Sequence, residues 1–196
     1  MQRNIGKMLM LIGVVCITLA LSLFAYNQYD AYLADLSAQQ IQDEIDSKIN
    51  NKKESPSTID PNEEMTTVEI DGYEYIGYVS IPSLSIDLPV MKDWSYAGMK
   101  IAPGRYYGSV YTDNMIICAH NYPKHFNNIR YLQPGAIITF TDMEGTIFKY
   151  EVTTIETLYP DQVNELISQD NDDWNLTLFT CNKMSLSRCV VRCIRV

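Results

Sequence analysis

An all-β domain behind a membrane-spanning helix is the fold class this sequence predicts, on three observations. Residues 8–26 form a stretch of 19 without a single charge. A polar, acidic segment follows. From Tyr75 onward, short runs rich in Ile, Val, Thr, Tyr and Phe alternate with turn signals, the mark of a barrel or a sandwich. Composition excludes other classes. Hydrophobic residues make up 46% and charged residues 20%, which argues against wholesale disorder. A net charge of −9 lacks the basic footprint of a nucleic-acid binder, so no nucleic-acid partner is expected.

The uncharged stretch, MLMLIGVVCITLALSLFAY, has about the 20 residues a helix needs to cross a bilayer core. Arg3 and Lys7 precede it; Asp30 and Asp35 follow. Positive charge on the leading side predicts residues 1–7 in the cytoplasm, 8–26 as the anchor and the rest outside the cell. The competing reading is a cleaved signal peptide, with a shorter apolar run of about 7–15 residues and an A-x-A-like site. Ala20, Ala25, Ala31 and Ala34 never fall two apart, which favours an uncleaved anchor. A buried core helix is disfavoured, because the stretch is apolar all round.

Residues 27–67 read as a stalk. Leu33, Leu36, Ile41, Ile45 and Ile49 suit a helix with a narrow apolar stripe, and NNKKESPSTIDPNEE then reads as a polar linker. The stalk holds nine acidic and three basic residues, a net −6, against +2 before the span and −5 over residues 68–196. Such a charge run is most simply a solvated spacer.

Residues 68–196 form the domain. Its strand-like segments are EYIGYVSIP, IDLPVM, MIICAH, AIITFT, IFKYEVTTIETL, NLTLFTC and CVVRCIRV, with an eighth near residues 105–111. Pro82-Ser83, Pro103-Gly104, Thr112-Asp113-Asn114, Gln133-Pro134-Gly135 and Met143-Glu144-Gly145 punctuate them. Short helices fit residues 125–132 and 160–167.

Reactive side chains are few. The histidines are His120 and His125; the five cysteines are Cys16, Cys118, Cys181, Cys189 and Cys193. Cys16 lies in the span. No C-x-x-C pair supports a zinc site. Cys189 and Cys193 share a strand face with Val191, and Cys118 sits in an apolar strand, so all three read as small buried hydrophobes. Disulfide pairing among these three is left open by the sequence. Cys181 differs, since it closes a strand and is followed at once by Asn182-Lys183. His120 ends the strand from Met115 in the same manner. A thiol of pKa about 8.5 becomes a nucleophile only as thiolate, and an imidazole can relay the proton to a leaving amine. Arg188, seven residues after Cys181, places a permanent cation near the thiol, able to stabilise an oxyanion. The plain alternatives are a structural Cys and His and a surface salt bridge for Arg188. Arg192 and Arg195 are left as structural or surface charges.

These residues sit in recognisable settings. Thr177-Leu178-Phe179-Thr180-Cys181 resembles the T-L-x-T-C signature of sortases. Ser187-Arg188-Cys189-Val190-Val191-Arg192 resembles the start of the family's last strand, and Cys118-Ala119-His120-Asn121 its histidine segment. Phe126, Ile129, Leu132 and Gly135 follow with the family's spacing, and Ile76 to Pro82 and Leu88-Pro89-Val90 resemble its opening strands. The resemblance runs from about Glu74 to Val196 and implies the eight-stranded sortase-type β-barrel. It implies transpeptidation of secreted proteins at a C-terminal LPxTG-like sorting signal. Cys181 would form the thioester, His120 would protonate the leaving amine, and Arg188 would hold substrate and oxyanion. Thr180 would orient substrate and Asn121 support the histidine. The acceptor amine would belong to a peptidoglycan precursor or a pilin lysine. No cofactor is implied, though Asp161, Glu165, Asp170, Asp172 and Asp173 offer carboxylates that bind calcium in some relatives; without hard-ligand spacing they read as a solvated loop. The short connection between Leu158 and Asn175 and the lack of an evident lid favour a class A-, D- or E-like sortase over class B or C. Two other readings compete. One is a different extracellular cysteine peptidase, against which stands the order of His120 before Cys181. The other is a non-enzymatic, membrane-tethered β-domain.

Overall fold

The computed structural model describes residues 2–51, 60–162, 164–167, 174–182 and 186–196. Residues 52–59 of the expected linker and the acids Asp170, Asp172 and Asp173 lie outside the described residues. The chain opens with one continuous helix, α1 (Gln2–Asn51). Its first half is long and apolar enough to cross a membrane, with a mean hydropathy of 2.6 over its most apolar window and none of that window buried against the protein.

The second half of α1 lies on the domain. Its buried stripe is Ala34, Ala38, Ile41 and Ile45, flanked by half-buried Ile49. Leu33 and Leu36 are exposed, contrary to the stripe expected from their hydrophobicity. The helical period explains this: 34, 38, 41 and 45 align along one face, and the two alanines let the helix approach the sheet closely. Ile45 and Ile41 pack with Tyr75, Met91 and Met143. The helical part of the stalk is therefore a docked element rather than a free spacer.

Nine strands follow among the described residues: β1 (Val68–Ile70), β2 (Tyr73–Ile81), β3 (Ile86–Met91), β4 (Gly104–Tyr107), β5 (Met115–Ala119), β6 (Ile137–Asp142), β7 (Ile147–Leu158), β8 (Leu176–Cys181) and β9 (Arg188–Arg195). The order β2-β3-β4-β5-β8-β9-β7-β6 closes on itself, because β6 also pairs with β2. That ring is the expected eight-stranded barrel. The short β1 hairpins onto β2 through Asp71-Gly72, both at positive φ (50° and 80°). Asp-Gly in such a turn is a strong hairpin signal, and it marks the one strand the segment reading did not find. The helices expected at residues 125–132 and 160–167 are a 3-10 helix, Phe126–Tyr131, and a 3-10 turn, Pro160–Gln162, followed by α2 (Asn164–Ile167).

Strand alternation sorts the side chains. Ile117, Leu178, Cys189, Val191 and Cys193 face the barrel core with Phe140, Phe148 and Tyr150. Ile116, Cys118, Phe179 and Val190 face outward, under Leu158 and Leu166. The barrel wall thus has a second, outer apolar layer, and that layer floors the cleft.

Candidate active site

Two parallel strands and one antiparallel strand set the site. β5 and β8 pair in parallel with Ala119 opposite Thr180, so their next residues, His120 and Cys181, emerge at the same edge. β9 runs back beside β8, with Arg188 paired to Cys181. A cleft of about 310 Å³ opens there, and His120, Asn121, Thr180, Cys181 and Arg188 all line it. Residues 61 and 68 positions after His120 are thereby brought to one place.

His120 is half-buried. Its ring stacks on Tyr122, with centroids 4.0 Å apart and planes 17° from parallel. The Tyr122 hydroxyl donates a hydrogen bond to the Asp30 carboxylate on α1. Burial lowers the His120 pKa from its ordinary 6.5; a hydrogen bond with Asn121 and the Asp30 charge oppose this, and Lys100 adds to it. Burial thus favours the neutral imidazole. The other histidine is separated from the cleft. His125 is fully buried against the edge of Tyr122, with centroids 5.5 Å apart, and burial pushes its pKa down to about 4.

The cysteines separate in the same way. All five are free. Burial pushes Cys118 and Cys193 up to about 12 and raises Cys189, so all three stay thiols. Cys118 forms part of the cleft floor and its thiol donates to the Gly104 carbonyl at 3.5 Å. Cys181 is partly exposed at the cleft.

Thr180 is buried, and its hydroxyl donates to the Ala119 carbonyl at 2.8 Å. That bond ties together the two strand ends that carry His120 and Cys181. Asn182 accepts from Arg130 (3.4 Å) and donates to Ser187 (2.8 Å), which holds the loop between Cys181 and Arg188 at both ends. Among the described residues, no group of three or more His, Cys, Asp or Glu side chains is placed to hold a metal.

The remaining walls are apolar, built from residues that carry no functional motif in the sequence. Trp94, Tyr96 and Tyr106 form an aromatic cluster that continues to Phe179, where Tyr106 meets the ring edge-on at 5.2 Å and 89°. Leu166 of α2 also lines the cleft and packs in one apolar cluster with Phe179. Trp94 and Tyr96 stand in the loop between β3 and β4, where no periodicity signals a contact. Tyr122, three residues before His125 and two after His120, carried no signal either.

The arrangement can perform acyl transfer: a thiol, an imidazole and a guanidinium converge on an apolar cleft able to hold a peptide. Comparisons agree. A sortase domain model matches residues 79–196. The chain is 27% identical over 191 residues to Sortase A of Staphylococcus aureus, covering 93% of this chain and 90% of the relative. A Streptococcus pneumoniae sortase C structure superposes with a TM-score of 0.62 at 22% identity, covering 80% of this chain and 96% of the other. A Clostridium perfringens sortase C, solved with the C-terminal cell wall sorting motif, superposes with a TM-score of 0.53 at 25% identity, covering 80% and 90%.

Proposed function

From the premise that this chain belongs to the sortase family and is a cysteine transpeptidase, we propose that it cleaves an LPxTG-like C-terminal sorting signal and passes the protein to an amine of the cell wall or of a pilin. One observation carries the reading. The β5–β8–β9 register delivers His120, Cys181 and Arg188 to a single cleft edge.

In this mechanism the Cys181 thiol gives its proton to the neutral His120 imidazole and the sulfur attacks the scissile carbonyl. The C–S bond forms, and Arg188 donates hydrogen bonds to the oxyanion. His120, now imidazolium, protonates the leaving amine as the C–N bond breaks, which leaves a thioester. The acceptor amine then attacks the thioester, returns a proton to His120, and the thiol is restored. Water in place of the amine gives slow hydrolysis. The solved relative that holds a cell wall sorting motif supports the substrate class. The apolar walls suit a peptide of small and apolar residues. No cofactor enters this reaction. With residues 8–26 in the membrane and residues 1–7 inside, the cleft faces the outer surface, where secreted proteins and cell wall precursors meet.

The test incubates the chain with a labelled sorting peptide and hydroxylamine. A peptide hydroxamate that disappears in Cys181→Ala is expected. No product across a broad panel of sorting signals would reject transpeptidation in favour of a binding role.

A further inference from the structure

We propose that Arg192 is a positioning residue for substrate binding, holding one wall of the cleft from beneath; this rests on the transpeptidase reading above. Arg192 lies on the outer face of β9, four residues beyond Arg188, and its side chain is only 3% exposed. Nε donates to the Glu156 carboxylate at 2.8 Å, and Nη1 to the Thr177 hydroxyl at 3.2 Å. Two further bonds go to main chain: Nη2 to the Glu165 carbonyl at 2.8 Å and Nη1 to the Leu166 carbonyl at 3.4 Å. The Trp174 ring lies across the guanidinium, 4.3 Å from its carbon.

The main-chain acceptors matter most. Glu165 and Leu166 belong to α2, a helix of four residues. A single turn is unstable alone. Arg192 donates to both carbonyls and sets a positive charge against them. Leu166, buried against Phe179 and Val190, is thereby fixed as a wall of the cleft. A lysine cannot substitute, because one ammonium does not span carboxylate, hydroxyl and two carbonyls. His120, Cys181 and Arg188 depend instead on the barrel register, so loss of the clamp moves the wall and leaves the reacting groups in place.

The test uses the full chain with the sorting peptide and hydroxylamine. Iodoacetamide serves as a small probe of Cys181, with the modified peptide followed by mass spectrometry. Arg192→Met keeps the apolar stem and strands no buried charge, since the Glu156 side chain is 32% exposed. A rise in KM of about tenfold is expected, with kcat within about twofold and an unchanged alkylation rate. Glu156→Gln and Trp174→Leu, which loosen the guanidinium without removing it, raise KM by less. Should Arg192→Met fail to fold, these two variants decide. An unchanged KM in the folded variants overturns the proposal, as does a parallel fall in kcat and alkylation rate. A wild-type chain that makes no hydroxamate overturns both this proposal and the reading beneath it, a failure distinct from one confined to the variants.

Discussion

Arg188 pairs with Cys181 across the β8–β9 ladder, and no strong side-chain partner competes for it among the described residues. The Arg188 guanidinium lines the cleft, where its planar fork can meet the substrate. An ammonium keeps the charge and loses the fork. Arg188→Lys should therefore lower kcat/KM with the sorting peptide on the order of 10²-fold, the typical cost of one oxyanion donor. Wild-type turnover in that variant would remove Arg188 from the oxyanion role. Cys181 and His120 are separated from their counterparts by burial alone. Cys118, Cys189, Cys193 and His125 are desolvated into their neutral forms, which leaves a partly exposed thiol and a half-buried imidazole to react.

At the scale of elements, α1 reaches the site. Asp30 accepts from Tyr122, and Tyr122 stacks on His120. The helix that fits a membrane span thus touches the ring stacked on His120. The electrostatic consequence has a definite sign. Burial depresses the His120 pKa below 6.5, so the acid limb of the pH profile of kcat/KM should lie below pH 6.5. The Asp30 carboxylate favours the charged imidazole. Asp30→Asn should therefore shift that limb to still lower pH, while Tyr122→Phe, which keeps the stack, should shift it less. A limb that does not move in Asp30→Asn would show that α1 does not influence His120. A profile with a single ionisation would count against the two-group mechanism itself.

At the scale of the molecule, the site depends on barrel closure. β2 and β6 seal the ring where Gly77 pairs with Asp142. Gly77 has a φ of 141°, and a Cβ there would stand 2.0 Å from the Thr141 carbonyl oxygen. Only glycine fits that conformation and that approach. Gly77→Ala should cost more than about 2 kcal/mol and lower the unfolding midpoint in denaturant, because strain and main-chain clash act together. Stability equal to wild type would mean that the seam yields without strain.

Legible in the amino-acid order alone are the apolar span, the alternation of the strands and the strand ends that carry His120, Cys181 and Arg188. Those features are local: charge, period and turn chemistry act within a few residues. The eight strands of the ring were legible for the same reason. The three-residue β1 was too short for a hydrophobic period, and only its Asp-Gly turn marked it. The rest is set by packing between segments distant in the chain. Leu33 and Leu36 are as apolar as Ile41 and Ile45, and the docking angle of α1 chose which of them to bury. Arg192 reads as a structural or a surface charge, and nothing in β9 chooses between them by showing that α2 will lie over it. The Asp30–Tyr122 contact joins residues 92 positions apart. Such pairings follow from the way the closed barrel presents its outer face, which no local pattern encodes.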